Sequence, residues 1–111
     1  MKTEQPVLIT TIQAAADLSE SKNLFIGFDG DIFGNGAKAL GVLNANTSED
    51  EMAPVMTHGI ALVYSAAAIS AGAKLQSNAD GKALTYAAGE ANGYALDAAG
   101  GADELIRVKL I

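Results

Sequence analysis

The two halves of this 111-residue chain read as imperfect copies of one module, and this repeat limits the folds that are open to it. The first part of the repeat recurs at an offset of 51 positions. It aligns Ile9, Ala15, Ala16, Ser19, Leu24, Asp29 and Gly30 with Ile60, Ala66, Ala67, Ser70, Leu75, Asp80 and Gly81. The offset then becomes 53 and aligns Leu43, Ala45, Asp50, Glu51 and Val55 with Leu96, Ala98, Asp103, Glu104 and Val108. The length suits one domain with a single modest core, so both copies are predicted to share it.

Short apolar runs between turn residues predict that the module is built from strands. The candidate strands are Val7 to Ile12, Leu24 to Phe28, Ala39 to Leu43, Glu51 to Met56, Gly59 to Tyr64, Lys74 to Ser77, Ala83 to Ala87, Gly93 to Leu96 and Glu104 to Leu110. Alanine is the best helix former, but no apolar helical period continues for more than about two turns before a glycine interrupts it. We therefore predict an all-β fold, a compact antiparallel β-barrel or sandwich of two pseudo-repeats (about 7–56 and 58–110) with at most one short helix.

The amino terminus is the predicted place of partner contact. Residues 1–6 are polar, end in a proline and are predicted to form a flexible arm before a single domain at residues 7–111. The arm and the strand after it supply the candidate partner-binding residues, which are Thr3, Glu4, Gln5, Pro6, Val7, Leu8 and Ile9. Phe33 lies among glycines; it is either a core residue or an anchor at a loop tip, and it joins the candidates on the second interpretation.

Composition excludes several classes of partner. The net charge of −6 and the scattered basic residues argue against nucleic acid, since phosphate binding needs clustered Lys and Arg. No stretch approaches the roughly 18 apolar residues of a membrane-spanning helix, and we expect no membrane partner. Half of the residues are hydrophobic but only 5% are aromatic, so the apolar side chains are mostly small and bury little area each. A lone monomer would be only marginally stable, which favours association with further copies or a partner.

No residue set predicts catalysis, a cofactor or a metal. His58 is the only histidine and has no recognisable partner by spacing. The sequence contains neither a Gly-x-Ser-x-Gly nucleophile motif nor a phosphate-binding loop. Asp29-Gly30-Asp31 resembles the opening of a calcium loop but lacks the later ligands. The acidic pairs at positions 50–51 and 103–104 are either a charged rim or cation site, or turn residues that add solubility, and the second interpretation is favoured. We expect that the protein is not an enzyme.

The second half resembles a family of small tailed-phage head proteins, the capsid decoration or cement proteins. The residues that carry the resemblance are Gly59, Ala68 to Gly72, Ser77 to Gly81, Gly89 to Ala99 and Glu104 to Leu110, with a looser match at Ala14 to Leu18 and Lys38 to Val42. Members of this family are sometimes labelled as recombinases, but this sequence lacks the phosphate loop that such chemistry requires. The family usually has Gly-Asp before the last strand, where this chain has Ala102-Asp103.

The resemblance implies a compact β-barrel-like protein, usually trimeric, on the outside of an icosahedral head. Its partner would be the major capsid protein, and it would be made in the host cytoplasm and end in the virion. Two alternatives remain at this stage: another virion component, such as a tail or head-completion subunit, and an enzyme or small-ligand barrel. The resemblance favours capsid decoration.

Overall fold

A computed structural model of the protein describes residues 2–32 and 37–111. These residues form eight strands and no helix. The strands are β1 (Gln5–Gln13), β2 (Phe25–Ile26), β3 (Gly41–Leu43), β4 (Met52–Tyr64), β5 (Lys74–Ser77), β6 (Ala83–Thr85), β7 (Gly93–Ala95) and β8 (Leu105–Leu110). The predicted all-β fold is confirmed. No helix in the described part of the chain is long and apolar enough to cross a membrane.

All strand pairs are antiparallel, and they form one sheet that curls into a nearly closed barrel. The order is β2-β3-β4-β8-β7-β5-β6, and β1 pairs with β4 beside this path. Ile60 of β4 pairs with Gln5 of β1 and with Lys109 of β8. Since a residue has one ladder partner on each side, β1 and β8 lie on opposite edges of β4.

The internal repeat is visible in the strand register. β1 pairs with the first part of β4, and the second part of β4 pairs with β8 in the same register at the same two offsets. The equivalent pairs are Ile9–Met56 and Ile60–Lys109, Thr10–Val55 and Ala61–Val108, Thr11–Pro54 and Leu62–Arg107, Ile12–Ala53 and Val63–Ile106, and Gln13–Met52 and Tyr64–Leu105. The long strand β4 therefore serves twice, as the second strand of the first copy and as the opening strand of the second.

Two sequence predictions need correction. Glu51 to Met56 and Gly59 to Tyr64 were predicted as two strands but form the single strand β4, because His58 stays extended and pairs with Leu8. β1 begins at Gln5, so the last two residues of the predicted arm, Gln5 and Pro6, belong to the strand. Proline is tolerated there because it lies near the start of a strand.

No helix forms at Ala14 to Leu18, where the sequence allowed a helical turn but favoured a loop or short turn. A helical turn there would need a bond from Leu18 N–H to Ala14 O, but Leu18 N–H donates to Thr47 O and Ala14 O accepts from Asp50 N–H, both at 2.9 Å. Leu18 thus forms a bridge with Thr47. Because both groups of this helical bond are used in contacts with residues distant in the sequence, the helical turn does not form.

The core consists of two clusters of mostly small apolar side chains. The larger contains Phe25, Ala39, Val42, Met56, Ala61, Val63, Ile69, Leu75, Ala83, Ala95, Ala99, Ile106, Val108 and Leu110. The smaller contains Ala14, Leu18, Ile26, Leu43, Ala53 and Val55. The smaller cluster comes entirely from the first copy, whereas the larger takes residues from both copies.

One ion pair ties β8 to the turn after β7. The Arg107 guanidinium donates two hydrogen bonds to Asp97, from Nε to Oδ2 at 3.0 Å and from an Nη to Oδ1 at 2.8 Å, and the Arg107 backbone N–H donates to Oδ2 at 3.0 Å. These bonds, first from the guanidinium and then from the backbone, hold the pKa of the Asp97 carboxyl well below its usual range.

We expect that replacing Asp97 by Asn lowers the melting temperature at pH 7 by a few degrees. The pKa of Asp97 is lower in the folded than in the unfolded chain, so the ionised carboxylate stabilises the fold above its ordinary pKa of about 4. This contribution decreases as the pH falls from there toward the depressed value. Thermal melts across this range should show the two proteins converging in acid. Glu20→Gln, at an exposed position, is the control. A constant difference at every pH would contradict this role of Asp97.

Candidate partner-binding surface

Strand β1 is exposed along almost its whole length. Only Ile12 is half-buried, and Val7, Leu8 and Ile9 are exposed, with 79% of Val7 accessible. An exposed apolar run on a strand is unusual in a protein that works alone, since it promotes pairing with another chain. Gln5 to Ile9, which the sequence predicted for partner contact, are therefore all exposed in the structure.

The outer edge of β1 is open as well. Its inner edge pairs with β4, and no other strand of residues 2–32 or 37–111 pairs with it. The backbone N–H and C=O groups on the outer edge thus face outward and are available to a further strand. Main-chain bonds to such an edge are a common mode of protein recognition.

The exposure of β1 can be compared with that of the equivalent strand in the second copy of the repeat. The copy of β1 is the second part of β4, where Ala61 and Val63 are buried; their first-copy equivalents, Thr10 and Ile12, are exposed and half-buried. The protein itself therefore covers this strand in one copy and leaves it open in the other.

Two opposed bulges shape the exposed end of β1. Val7 is an extra residue on β1, and Thr57 is an extra residue on β4, so the register is restored at Ile9. Thr57 Oγ1 donates to Leu8 O at 3.3 Å across the bulge. An extra residue in one strand re-aims its side chain, and Val7 is the most exposed large apolar residue of the described chain.

Gly59 permits this close approach. Its φ of +116° lies in a region that side chains disfavour, and a Cβ there would lie 2.5 Å from Gln5 O and 2.7 Å from Val7 N. The backbone of β1 can therefore lie against this position only when it has no side chain.

We expect that Gly59→Ala displaces the first part of β1 from β4 while the rest of the barrel stays folded. The strain and the clash together would cost about 2–3 kcal/mol, which exceeds what a frayed strand end gains by pairing. Hydrogen exchange should show faster exchange at the amides of Gln5, Val7 and Leu8 and unchanged exchange in β8, the internal reference. Equal acceleration in both strands would instead indicate global destabilisation.

The remaining candidate residues have different placements. Thr3 is exposed, Glu4 is half-buried, and Lys2 Nζ donates to Leu105 O at 3.0 Å, so the arm lies against the second copy. Phe33 lies outside the described residues. Sequence reasoning missed Met52, which pairs with Gln13 at the far end of β1 and is 58% exposed. No signal in the sequence singled it out, since large apolar residues are most often buried.

The residues that the sequence analysis considered for catalysis or metal binding make ordinary structural contacts. His58 is exposed and its Nδ1 lies 3.1 Å from Thr57 Oγ1. No cluster of His, Asp and Glu side chains suited to a metal ion occurs in the described residues, and these residues enclose no pocket. Asp50 and Asp103 adopt φ of 70° and 63°, a left-handed conformation that Asp tolerates better than most residues. This geometry favours the turn interpretation of both acidic pairs.

Comparison with known proteins agrees with the fold. Residues 1–110 match the family model described as phage cement protein. The chain also resembles the crystal structure of the head fiber gp8.5 N base in bacteriophage phi29, with a TM-score of 0.71 at 17% sequence identity, covering 94% of this chain and 93% of that chain. No curated protein matches the sequence.

Proposed function

The chain belongs to the phage cement protein family, and from that premise we propose that it binds the outer surface of an icosahedral head and stabilises the shell through β1. The family membership makes it a structural protein of a phage head. The finer proposal is that its partner is the major capsid protein, that it acts as a homotrimer on the capsid exterior, and that it assembles in the host cytoplasm without catalytic activity.

The observation that carries this proposal is the open strand β1. Val7, Leu8 and Ile9 are exposed, and the outer backbone edge beside them has no strand partner among the described residues. A shell subunit that lays an extended segment along this edge would gain main-chain hydrogen bonds together with apolar contacts. Both gains are absent while the protein is free, so they favour the bound state.

Shell stabilisation follows from this differential binding. A protein that binds the assembled shell better than its separate subunits adds its binding energy to the stability of the shell. A trimer with one β1 on each protomer would bind neighbouring shell subunits together, and its avidity would exceed the affinity of each contact by about 10²-fold or more. A modest contact area per copy is then sufficient.

A different role within the virion is the second candidate. The structural likeness to a head fiber base shows the fold alone at 17% identity, and a barrel with an open edge strand also suits a subunit of a tail or of the head-completion complex. Such a subunit would use β1 to join copies into a ring or tube.

Co-sedimentation with expanded, DNA-free heads of the related phage tests the two roles. Capsid decoration predicts saturable binding at a fixed number of copies per head, and heads that resist heat better when occupied. No binding, together with rings or tubes of the purified protein, would overturn capsid decoration in favour of the second role.

A further inference from the structure

The outer sheet surface of the second copy carries a basic patch on an acidic protein. Lys74 on β5 pairs with Tyr94 on β7, and Tyr94 pairs with Lys109 on β8. Cross-strand partners lie side by side on one face of a sheet. Lys74 and Lys109 are exposed, and Tyr94 between them is 40% exposed, with Leu96 exposed nearby. We call Lys74, Tyr94, Leu96 and Lys109 the basic face.

The basic face is not neutralised by its own chain. Neither lysine forms an ion pair with any carboxylate of the described residues, and Lys74 Nζ lies instead 4.3 Å from the centre of the Tyr86 ring. Arg107 also lies on β8, but its charge is balanced by Asp97. The equivalents of Tyr94 and Lys109 in the first copy are Gly41 and Met56, which are both buried. The face is thus covered in one copy and open in the other.

Exposed carboxylates are concentrated at the other end of the molecule. The bridge between Leu18 and Thr47 brings two loops together beside the end of β1. These loops carry five exposed carboxylates, Asp17, Glu20, Glu49, Asp50 and Glu51, which we call the acidic end. In the second copy, the equivalent of Asp50 is Asp103, which is paired with Lys82. Within the described residues, no carboxylate of the acidic end forms an ion pair.

The two surfaces are too far apart to neutralise each other within one molecule. The acidic end adjoins Met52 at the start of β4, and the basic face adjoins Ile60, the partner of Lys109. Eight residues of strand separate the two positions, which corresponds to about 25 Å. Charges at such a distance are screened, because the Debye length is about 8 Å at physiological salt. The surfaces can meet only between different copies of the chain.

We propose that copies of this protein associate head to tail, with the acidic end of one copy against the basic face of the next. Each of the two surfaces also carries apolar side chains that could contact those of the other. Met52 projects beside the acidic end, and Tyr94 and Leu96 lie within the basic face. Thioether sulfur and aromatic rings make favourable contacts. A head-to-tail contact joins different patches on the two partners and closes into a ring when its rotation permits. The inference rests on the proposed self-association and adds the surfaces that form it.

Charge reversal tests the pairing. One variant carries Lys74→Glu with Lys109→Glu, a second carries Glu20→Lys with Glu49→Lys, and a third carries all four changes. We expect that each of the first two weakens self-association by about tenfold or more in sedimentation velocity, because like charges then face each other. The third variant should recover most of the lost affinity, since the opposite charges face each other again. Circular dichroism establishes that all three are folded.

Three outcomes would overturn the proposal. The first is a wild-type protein that stays monomeric up to about 1 mM, where even weak contacts are populated. The second is self-association that none of the reversals changes, and the third is a four-fold variant that fails to recover. Each outcome is separable from the proposed shell binding, because head occupancy is measured independently. Loss of head occupancy without loss of self-association would assign the basic face to the shell and would equally overturn the head-to-tail contact.

Discussion

Replacing Val7 and Leu8 together by Asp is expected to reduce head binding by about a hundredfold or more while the protein stays folded. Both side chains are exposed, so the charges cost the free protein little, about 0.5 kcal/mol or less. On the shell the same carboxylates would have to be desolvated against an apolar contact, which costs several kcal/mol. Titration of expanded heads with labelled protein, followed by sedimentation, measures the loss.

Phe28→Asp is the matched control for this experiment. Phe28 is 64% exposed and lies outside β1, in the loop of Gly30 that packs against the far end of β1 at Gln13, so the substitution adds a charge at a comparably open apolar position but not at Val7 or Leu8. We expect Phe28→Asp to bind heads as the wild type does. If the control loses binding as strongly as the β1 variant, then added charge and not the site is responsible. If the β1 variant binds normally, β1 is not the contact.

The largest expected effect on stability comes from Gly30→Ala. Gly30 has φ of +85°, and a Cβ there would overlap Gln13 O and lie 3.2 Å from Ala15 N. Gly30 O also accepts the Ala15 N–H at 2.9 Å, so the loop cannot move away without losing a buried bond. Strain and displaced backbone together should lower the free energy of unfolding by about 3 kcal/mol or more. Urea unfolding followed by circular dichroism measures this.

Gly72→Ala separates backbone strain from steric overlap as causes of the lower free energy of unfolding. Gly72 has nearly the same φ, +84°, but nothing lies within 4 Å of the position of its Cβ. Its substitution should therefore cost only the left-handed strain, about 1 kcal/mol. Equal losses for the two variants would contradict the close packing of the Gly30 loop on the end of β1.

Much of this fold was predictable because the repeat and the turn residues can be recognised in the sequence itself. The offsets of 51 and 53 that align the halves also relate their strand pairs, so the sequence repeat and the register repeat have one origin. Lys74 to Ser77 was predicted with the bounds that the structure gives. Glycine and Asp-Gly turns fix such bounds through backbone conformation, which is a property of the residues themselves.

The features that were not predictable depend on contacts between distant residues. The union of two predicted strands into β4 depends on β1, which pairs across Gly59. For the proposed contact surface, polarity and position along the chain predicted the amino-terminal region. The exposure of β1 on both faces and its open edge became evident only from the structure.

Hydrogen exchange of the protein on heads, compared with the free protein, tests the central claim most directly. If a shell subunit pairs with the open edge of β1, amides between Val7 and Ile12 will exchange more slowly on the heads, because they gain a main-chain acceptor. The rest of the barrel should exchange alike in both states, apart from contacts between copies. Unchanged exchange in β1 together with protection at another segment would contradict the account.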